Sequence, residues 1–245
     1  MIKLYFIRHG RQNSGLCNVD VPLDEAGEKQ AELVANRLKG YDIDRLYCSG
    51  LIRAKQTADI IGKELDLKAY IEEDLREISY GDMEGLDSAQ LKARYGDFLD
   101  RRKMAKEDLP CPGGESGADV YNRAMPIIRN IIEEAKETTM KNIAIVTHGG
   151  LIRSVGAGIL EADFAKKLCV AKDLENCSIT EIDYDEVQDQ MHAIYKRLKK
   201  AKKSNVEIFN EIVGKIHRVT LEEDTYCQIV VSYFIQSCEV FDAAT

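Results

Sequence analysis

Apolar residues follow two rhythms along this chain, one of short continuous runs and one of helical repeats. Ile2, Leu4, Phe6 and Ile7 form a run that reads as a buried strand over 2–8. A polar loop with Gly15, Asn18, Asp20 and Pro22 follows, and Asp24 then has the character of an N-cap for a helix over 25–39, closed by Gly40. Ala31, Val34 and Leu38 mark its buried stripe. Residues 45–48 read as a short strand. Ser49 is expected to cap a second helix, on which Leu51, Ala54, Ala58, Ile61 and Leu65 repeat at helical spacing. A third short strand is expected at 68–71, an acidic loop over 72–86 and a helix over 88–95, with 101–106 and 111–116 irregular. Ser116 and Asp119 have the spacing of a capping box. The long helix they open runs to about 138 with Val120, Ala124, Ile127, Ile131 and Ala135 inward, and Pro126 should kink it or end its first part. The run 142–147 (NIAIVT) is a buried strand, Leu151, Ile152 and Val155 mark a further helix, and 178–184 alternates as a strand.

Strand and helix in alternation predict an α/β fold: a three-layer α/β/α arrangement around a mostly parallel central sheet. Ligands of such sheets sit beyond the carboxyl ends of the strands. Three segments place unusual chemistry there. Arg8, His9 and Gly10 follow the first strand, Arg53 lies in the first turn of the helix after the second, and His148, Gly149 and Gly150 follow the run 142–147. Arginine offers a planar fork of donors that fits phosphate, and histidine can act as nucleophile or base near neutral pH. Glycine lets the backbone approach a bound group. Helix N-termini at the same edge favour an anion.

Composition narrows the class. A hydrophobic content of 44% with 31% charged residues is that of an ordinary globular protein. No leader and no long uncharged apolar run is evident, so neither secretion nor a membrane span is expected. The seven cysteines are scattered without a CxxC pair, which points to free thiols in a reducing cytoplasm and not to a zinc site. A formal net charge of −8 gives no reason to expect nucleic acid as a partner.

Six ordered stretches resemble the histidine phosphatase superfamily, the phosphoglycerate-mutase-like enzymes: FIRHG (6–10), PLDEAGEKQA (22–31), YCSGLIRAKQTA (47–58), LREISYGDMEGL (75–86), CPGGES (111–116) and IVTHGGLIR (145–153). The resemblance implies a catalytic domain over 1–184 and catalysis by phosphoryl transfer to His9. Arg8, Arg53, His148 and Gly149 would hold the phosphoryl oxygens. Glu77 would donate a proton to the leaving oxygen and then accept one from water. Glu77 is chosen by the resemblance, since Glu72, Glu73, Asp74, Asp82 and Glu84 crowd the same loop. No metal and no cofactor are implied. The short interval between Glu77 and His148 resembles the phosphatase branch more than the mutases, which carry a long insertion there. The expected function is therefore a metal-independent phosphomonoesterase acting on a small phosphorylated metabolite. Mutase-type phosphotransfer and a silent phospholigand-binding module are the alternatives. The chain departs from the family after Gly10, where Arg11 and Gln12 stand and Gly15 replaces the expected asparagine, so Asn13 or Asn18 is expected to substitute. Glu115 and Arg153 are expected to be structural residues first and supporting partners of the site second.

Beyond 184 no family pattern is evident. Lys196 to Lys203 form a basic helix face, and Phe209, Ile212, Val213 and Ile216 an amphipathic one. The run 228–235 (QIVVSYFI) calls for burial, in the sheet or at the interface of a homodimer. Residues 185–245 are expected to extend the catalytic domain, because some sixty residues give a marginal core alone.

Overall fold

A computed structural model describes residues 1–170 and 174–185. The readings made for the basic, amphipathic and apolar stretches beyond 185 lie outside the described residues. Residues Met1–Tyr184 form one compact unit. Strands β1 (Ile2–Arg8), β2 (Arg45–Cys48), β3 (Ala69–Ile71), β4 (Asn142–Thr147) and β5 (Ile179–Tyr184) make a single sheet in the order β3-β2-β4-β1-β5. The first four are mutually parallel, and β5 runs antiparallel along β1.

Helices cover both faces, and the strands divide their side chains accordingly. On β4, Ile143 and Ile145 join Leu4 and Phe6 of β1 in a core beneath α4 (Gly117–Thr138) and α5 (Gly149–Ile159). Ala144 and Val146 point the other way, with Ile7, into a core beneath α1 (Glu25–Leu38) and α2 (Ile52–Leu65). The two-residue period of a strand feeding two apolar layers explains why 142–147 is an unbroken apolar run.

Local chemistry sets the helix ends, with several departures from expectation. Asp24 caps α1 by accepting the Gly27 N–H at 2.8 Å, and the Ser116–Asp119 capping box opens α4. Ser49 does not cap α2. Its N-cap is Leu51, and the Ile52 N–H is taken instead by Asp20 Oδ1 at 2.7 Å. Helix α3 (Ser88–Lys103) continues past the expected end at 95, through a non-helical Tyr95. Arg101, Arg102 and Lys103 fall in its last turn, where the terminal carbonyls favour cations. α4 does not end at Pro126, which is exposed, so the carbonyl deprived of its partner can turn to water. Ile128 takes the fully buried place expected for Ile127, which is only half-buried. The acidic stretch 72–86 contains two 3-10 turns, Glu73–Leu75 and Gly81–Met83. Among the described residues, no helix is long and apolar enough to cross a membrane.

Candidate functional site

The sheet order brings the two histidine segments together. β1 and β4 are neighbours with Arg8 opposite Thr147, so His9 and His148 leave adjacent strands at the same level. Their ring centroids are 5.0 Å apart. β2 lies on the other side of β4, and the α2 that follows it delivers Arg53 from beside the same edge.

His9 is held at every polar point. Its backbone N–H donates to the Thr147 carbonyl, and its carbonyl accepts Asn176 Nδ2 at 2.8 Å. The next residue, Gly10, donates its N–H to Thr57 Oγ1 at 3.0 Å. A side chain at Gly10 would run into the backbone of Gly27, and one at Gly27 into that of Arg11, so both glycines let the loop lie against α1. On the ring, Nδ1 lies 2.7 Å from the Gly10 carbonyl, an acceptor, so Nδ1 bears the proton. Nε2 is left with its lone pair and receives Arg53 Nε at 3.2 Å. Burial, and then the Arg53 charge, push the His9 pKa down to about 3. The imidazole is therefore neutral.

Arg53 is 1% exposed, an uncommon state for an arginine. Besides His9, it donates to the Val19 carbonyl at 3.2 Å and to Asn18 Oδ1 at 2.8 Å. Asn18 has a left-handed φ of 44° and also reaches Glu84 and the Ile78 carbonyl through Nδ2. Of the two asparagines expected from the altered loop, Asn18 touches the site. Asn13 is exposed and donates its N–H to Pro22 at the base of the loop. Arg8 donates to the Leu174 carbonyl at 2.6 Å, and its Nε is buried without a hydrogen-bond partner. Gly149 is buried between the guanidinium groups of Arg8 and Arg153, each of which would touch a side chain placed there.

Glu77 is separated from the other acids of its loop by its contacts. Its carboxylate accepts the N–H groups of Ile78 at 2.9 Å and of Gly150 and Leu151 at 3.2 Å, at the start of α5. A side chain on Gly150 would collide with it. Glu84 is committed elsewhere, to Asn18 and the Tyr80 N–H, and Asp74 to Arg76. Glu115 pairs with Arg123, and both hold the backbone around Glu77.

His148 is fully buried. Its Nε2 lies 2.8 Å from Ser49 Oγ, while Nδ1 has no hydrogen-bond partner. Its pKa is well below the ordinary histidine value, from burial first and then the neighbouring His9 and Arg53. The site thus gathers His9, Arg8, Arg53, His148, Gly149 and Glu77 around one strand edge. Sequence reasoning missed Ser49, Asn176, Thr57 and Arg123. The serine's place one residue after a strand was visible, but its partner comes from a segment about a hundred residues away.

A family model described as the histidine phosphatase superfamily (branch 1) matches residues 4–197. A second, described as C-terminal domain 11 of the ABC-three component (ABC-3C) systems, matches residues 168–241. Phosphoglycerate mutase-like protein 4 of Arabidopsis thaliana is 34% identical over 163 residues, 62% of this chain and 69% of its own. The 2,3-bisphosphoglycerate-dependent phosphoglycerate mutase of Methanococcus vannielii is 30% identical, covering 63% and 80%. Among solved structures, mycobacterial glucosyl-3-phosphoglycerate phosphatase in complex with inorganic phosphate superposes with a TM-score of 0.68 at 28% identity, over 75% of this chain and 90% of that one. A phosphoserine phosphatase from Entamoeba histolytica in complex with phosphoserine gives a TM-score of 0.61 at 27% identity, covering 76% and 92%.

Proposed function

Because the chain belongs to the histidine phosphatase superfamily (branch 1), we propose that it is a phosphomonoesterase whose phosphoryl group passes through His9. The observation that carries this reading is the state of His9: neutral, with Nδ1 tied to the Gly10 carbonyl and the Nε2 lone pair facing Arg53. Nε2 attacks phosphorus, and the bond from phosphorus to the leaving oxygen breaks. Arg8, Arg53 and His148, with Gly149 at the N-terminus of α5, surround the phosphoryl oxygens and offset the charge they gather in the transition state. In its carboxylic-acid form, Glu77 gives its proton to the leaving oxygen and becomes the carboxylate. A water then attacks the phosphohistidine, Glu77 takes that water's proton, and phosphate leaves with His9 restored. No step in this scheme uses a metal.

The substrate class is a small phosphorylated metabolite with an alcohol leaving group. Phosphatase neighbours named for glucosyl-3-phosphoglycerate and phosphoserine support it. The mutase relatives keep transfer to a second hydroxyl open as the competing fate of the phosphoenzyme. A screen of phosphorylated metabolites with phosphate release as readout separates the two, since a mutase returns isomerised ester in place of phosphate. Labelled substrate with rapid quench tests the intermediate. Wild-type protein accumulates acid-labile, base-stable label, and His9→Ala accumulates none. Label of that stability on His9→Ala would move the nucleophile elsewhere, with His148 first in line.

The match over residues 168–241 supports a second element of function. We infer that the phosphatase works as one component of a multi-protein system, with the C-terminal region as its attachment. The test is co-expression with the products of adjacent genes. Full-length protein should co-purify with a partner, and a chain ending at 184 should lose it. Equal recovery with both would dismiss the idea.

A further inference from the structure

Resting on the phosphohistidine reading, we propose that Ser49 is a positioning residue for that reaction: its hydroxyl selects which nitrogen of His148 carries the proton, so that an Nδ1–H is presented to the phosphoryl group. Ser49 and His148 are both fully buried, so neither can turn to water for a partner. The pair is built by the sheet. The Ser49 N–H donates to the Val146 carbonyl across β2 and β4, which sets the serine beside the end of β4 where His148 emerges. Ser49 Oγ accepts the Leu51 N–H at 3.3 Å. Its own proton needs an acceptor, and among the described residues the hydrogen-bonding atom within reach is His148 Nε2 at 2.8 Å.

A neutral imidazole has one proton and two places for it. If Nε2 carried it, the Ser49 hydroxyl proton would lack an acceptor, and Nδ1 would turn a lone pair toward an anionic phosphoryl oxygen. If the serine donates to Nε2, the proton sits on Nδ1. That nitrogen is buried, unpartnered and on the ring that stands 5.0 Å from His9. Burial keeps His148 neutral, so a doubly protonated ring does not bypass the choice. The serine that sequence spacing suggests as a helix cap is thus occupied with the histidine, while Asp20 serves the helix.

The assignment is tested on the full-length protein with inorganic phosphate as the bound probe. Long-range proton–nitrogen NMR of the labelled histidines reads the tautomer directly, with the His148 signals identified by their loss in His148→Ala. Wild-type protein and Ser49→Thr should show His148 protonated at Nδ1. Ser49→Ala should show a mixture or the opposite tautomer. In single turnovers, Ser49→Ala should slow phosphoryl transfer by roughly tenfold, the scale of one lost buried hydrogen bond, and Ser49→Thr should restore most of it. In a His148→Ala background, Ser49→Ala should cost nothing more, because its effect passes through the histidine. An Nε2–H tautomer in the wild type, an unchanged tautomer in Ser49→Ala, or an equal loss in both backgrounds would overturn the assignment. A wild-type enzyme without a phosphoenzyme would instead retire the phosphohistidine reading. The NMR arm needs only bound phosphate, and it would still decide the serine's part.

Discussion

At the site's centre, Arg53 does two things to His9 at once. Its Nε donates to Nε2, the nitrogen proposed as nucleophile, and its charge helps keep that nitrogen unprotonated. Replacing it therefore has two separable consequences. Arg53→Ala should slow phosphoenzyme formation by about a hundredfold or more, the cost of one charge-assisted donor at the transition state, on the order of 3 kcal/mol. It should also raise the His9 pKa, because a cation that opposes protonation is gone. Stopped-flow profiles should then show the acid limb of phosphoenzyme formation at higher pH than in wild type. A slower variant with an unmoved acid limb would mean that burial alone sets the state of His9. Glu77 makes a different demand. Its contacts put it at the start of α5 beside His148, so Glu77→Gln should hurt alkyl phosphates far more than aryl phosphates, whose leaving groups need little protonation. Equal losses on both would take the proton-donor role away from Glu77.

The acid loop is an element with little regular structure, yet it is pinned at several points. Arg123 of α4 donates to the carbonyls of Asp74, Arg76 and Glu77 and to both oxygens of Glu115, one of which, Oε2, also accepts the Ser79 N–H. One guanidinium thus fixes the segment that carries Glu77. Arg123→Ala leaves Glu115 and three carbonyls without it and should destabilise the fold by about 2 kcal/mol. Its kinetic signature should be a milder copy of Glu77→Gln, with alkyl phosphates losing more than aryl phosphates. Lysine should not rescue it, since a single ammonium cannot reach all five acceptor atoms that the guanidinium fork serves. Uniform loss across leaving groups would make Arg123 a purely structural residue. Such a clamp is hard to read from sequence, because Arg123 sits on a helix whose apolar stripe gives no hint of carbonyls some fifty residues earlier. The elements themselves were legible where one rule acted alone, as at the Asp24 cap, the Ser116 capping box and the apolar run of β4. They were misread where a second partner competed. Ser49 looked like a cap because serine often is one, and the competitor came from across the sheet.

The unit formed by residues 1–184 has two apolar layers on either side of one sheet, and the candidate site lies at the strand ends between them. That arrangement makes the site expensive in one respect: two imidazoles are kept neutral in a low-dielectric setting. The unfolded chain titrates them near the ordinary value of about 6.5, whereas the fold holds His9 down at about 3 and His148 well below its usual range. Between those limits the unfolded state binds more protons than the folded one. Stability therefore falls as pH drops below about 6.5, by roughly 1.4 kcal/mol per pH unit for each imidazole. The depressed carboxyls of Asp24, Glu64, Asp108, Glu115 and Asp119 also lose their contribution in acid, but at lower pH, as each falls through the carboxylate range. Among the described residues, the interval from pH 6 to 5 thus belongs chiefly to His9 and His148. Urea midpoints followed through that interval should decline steeply in wild-type protein and by about one imidazole's slope less in His9→Ala or His148→Ala. In the double variant they should decline by about two imidazoles' slope less than in wild type. The slope is the informative quantity, because each substitution also shifts the midpoint through lost packing, and that shift is the same at every pH. A double variant that loses stability in acid as steeply as wild type would mean that other groups carry the dependence and that the buried imidazoles accept protons in the folded state.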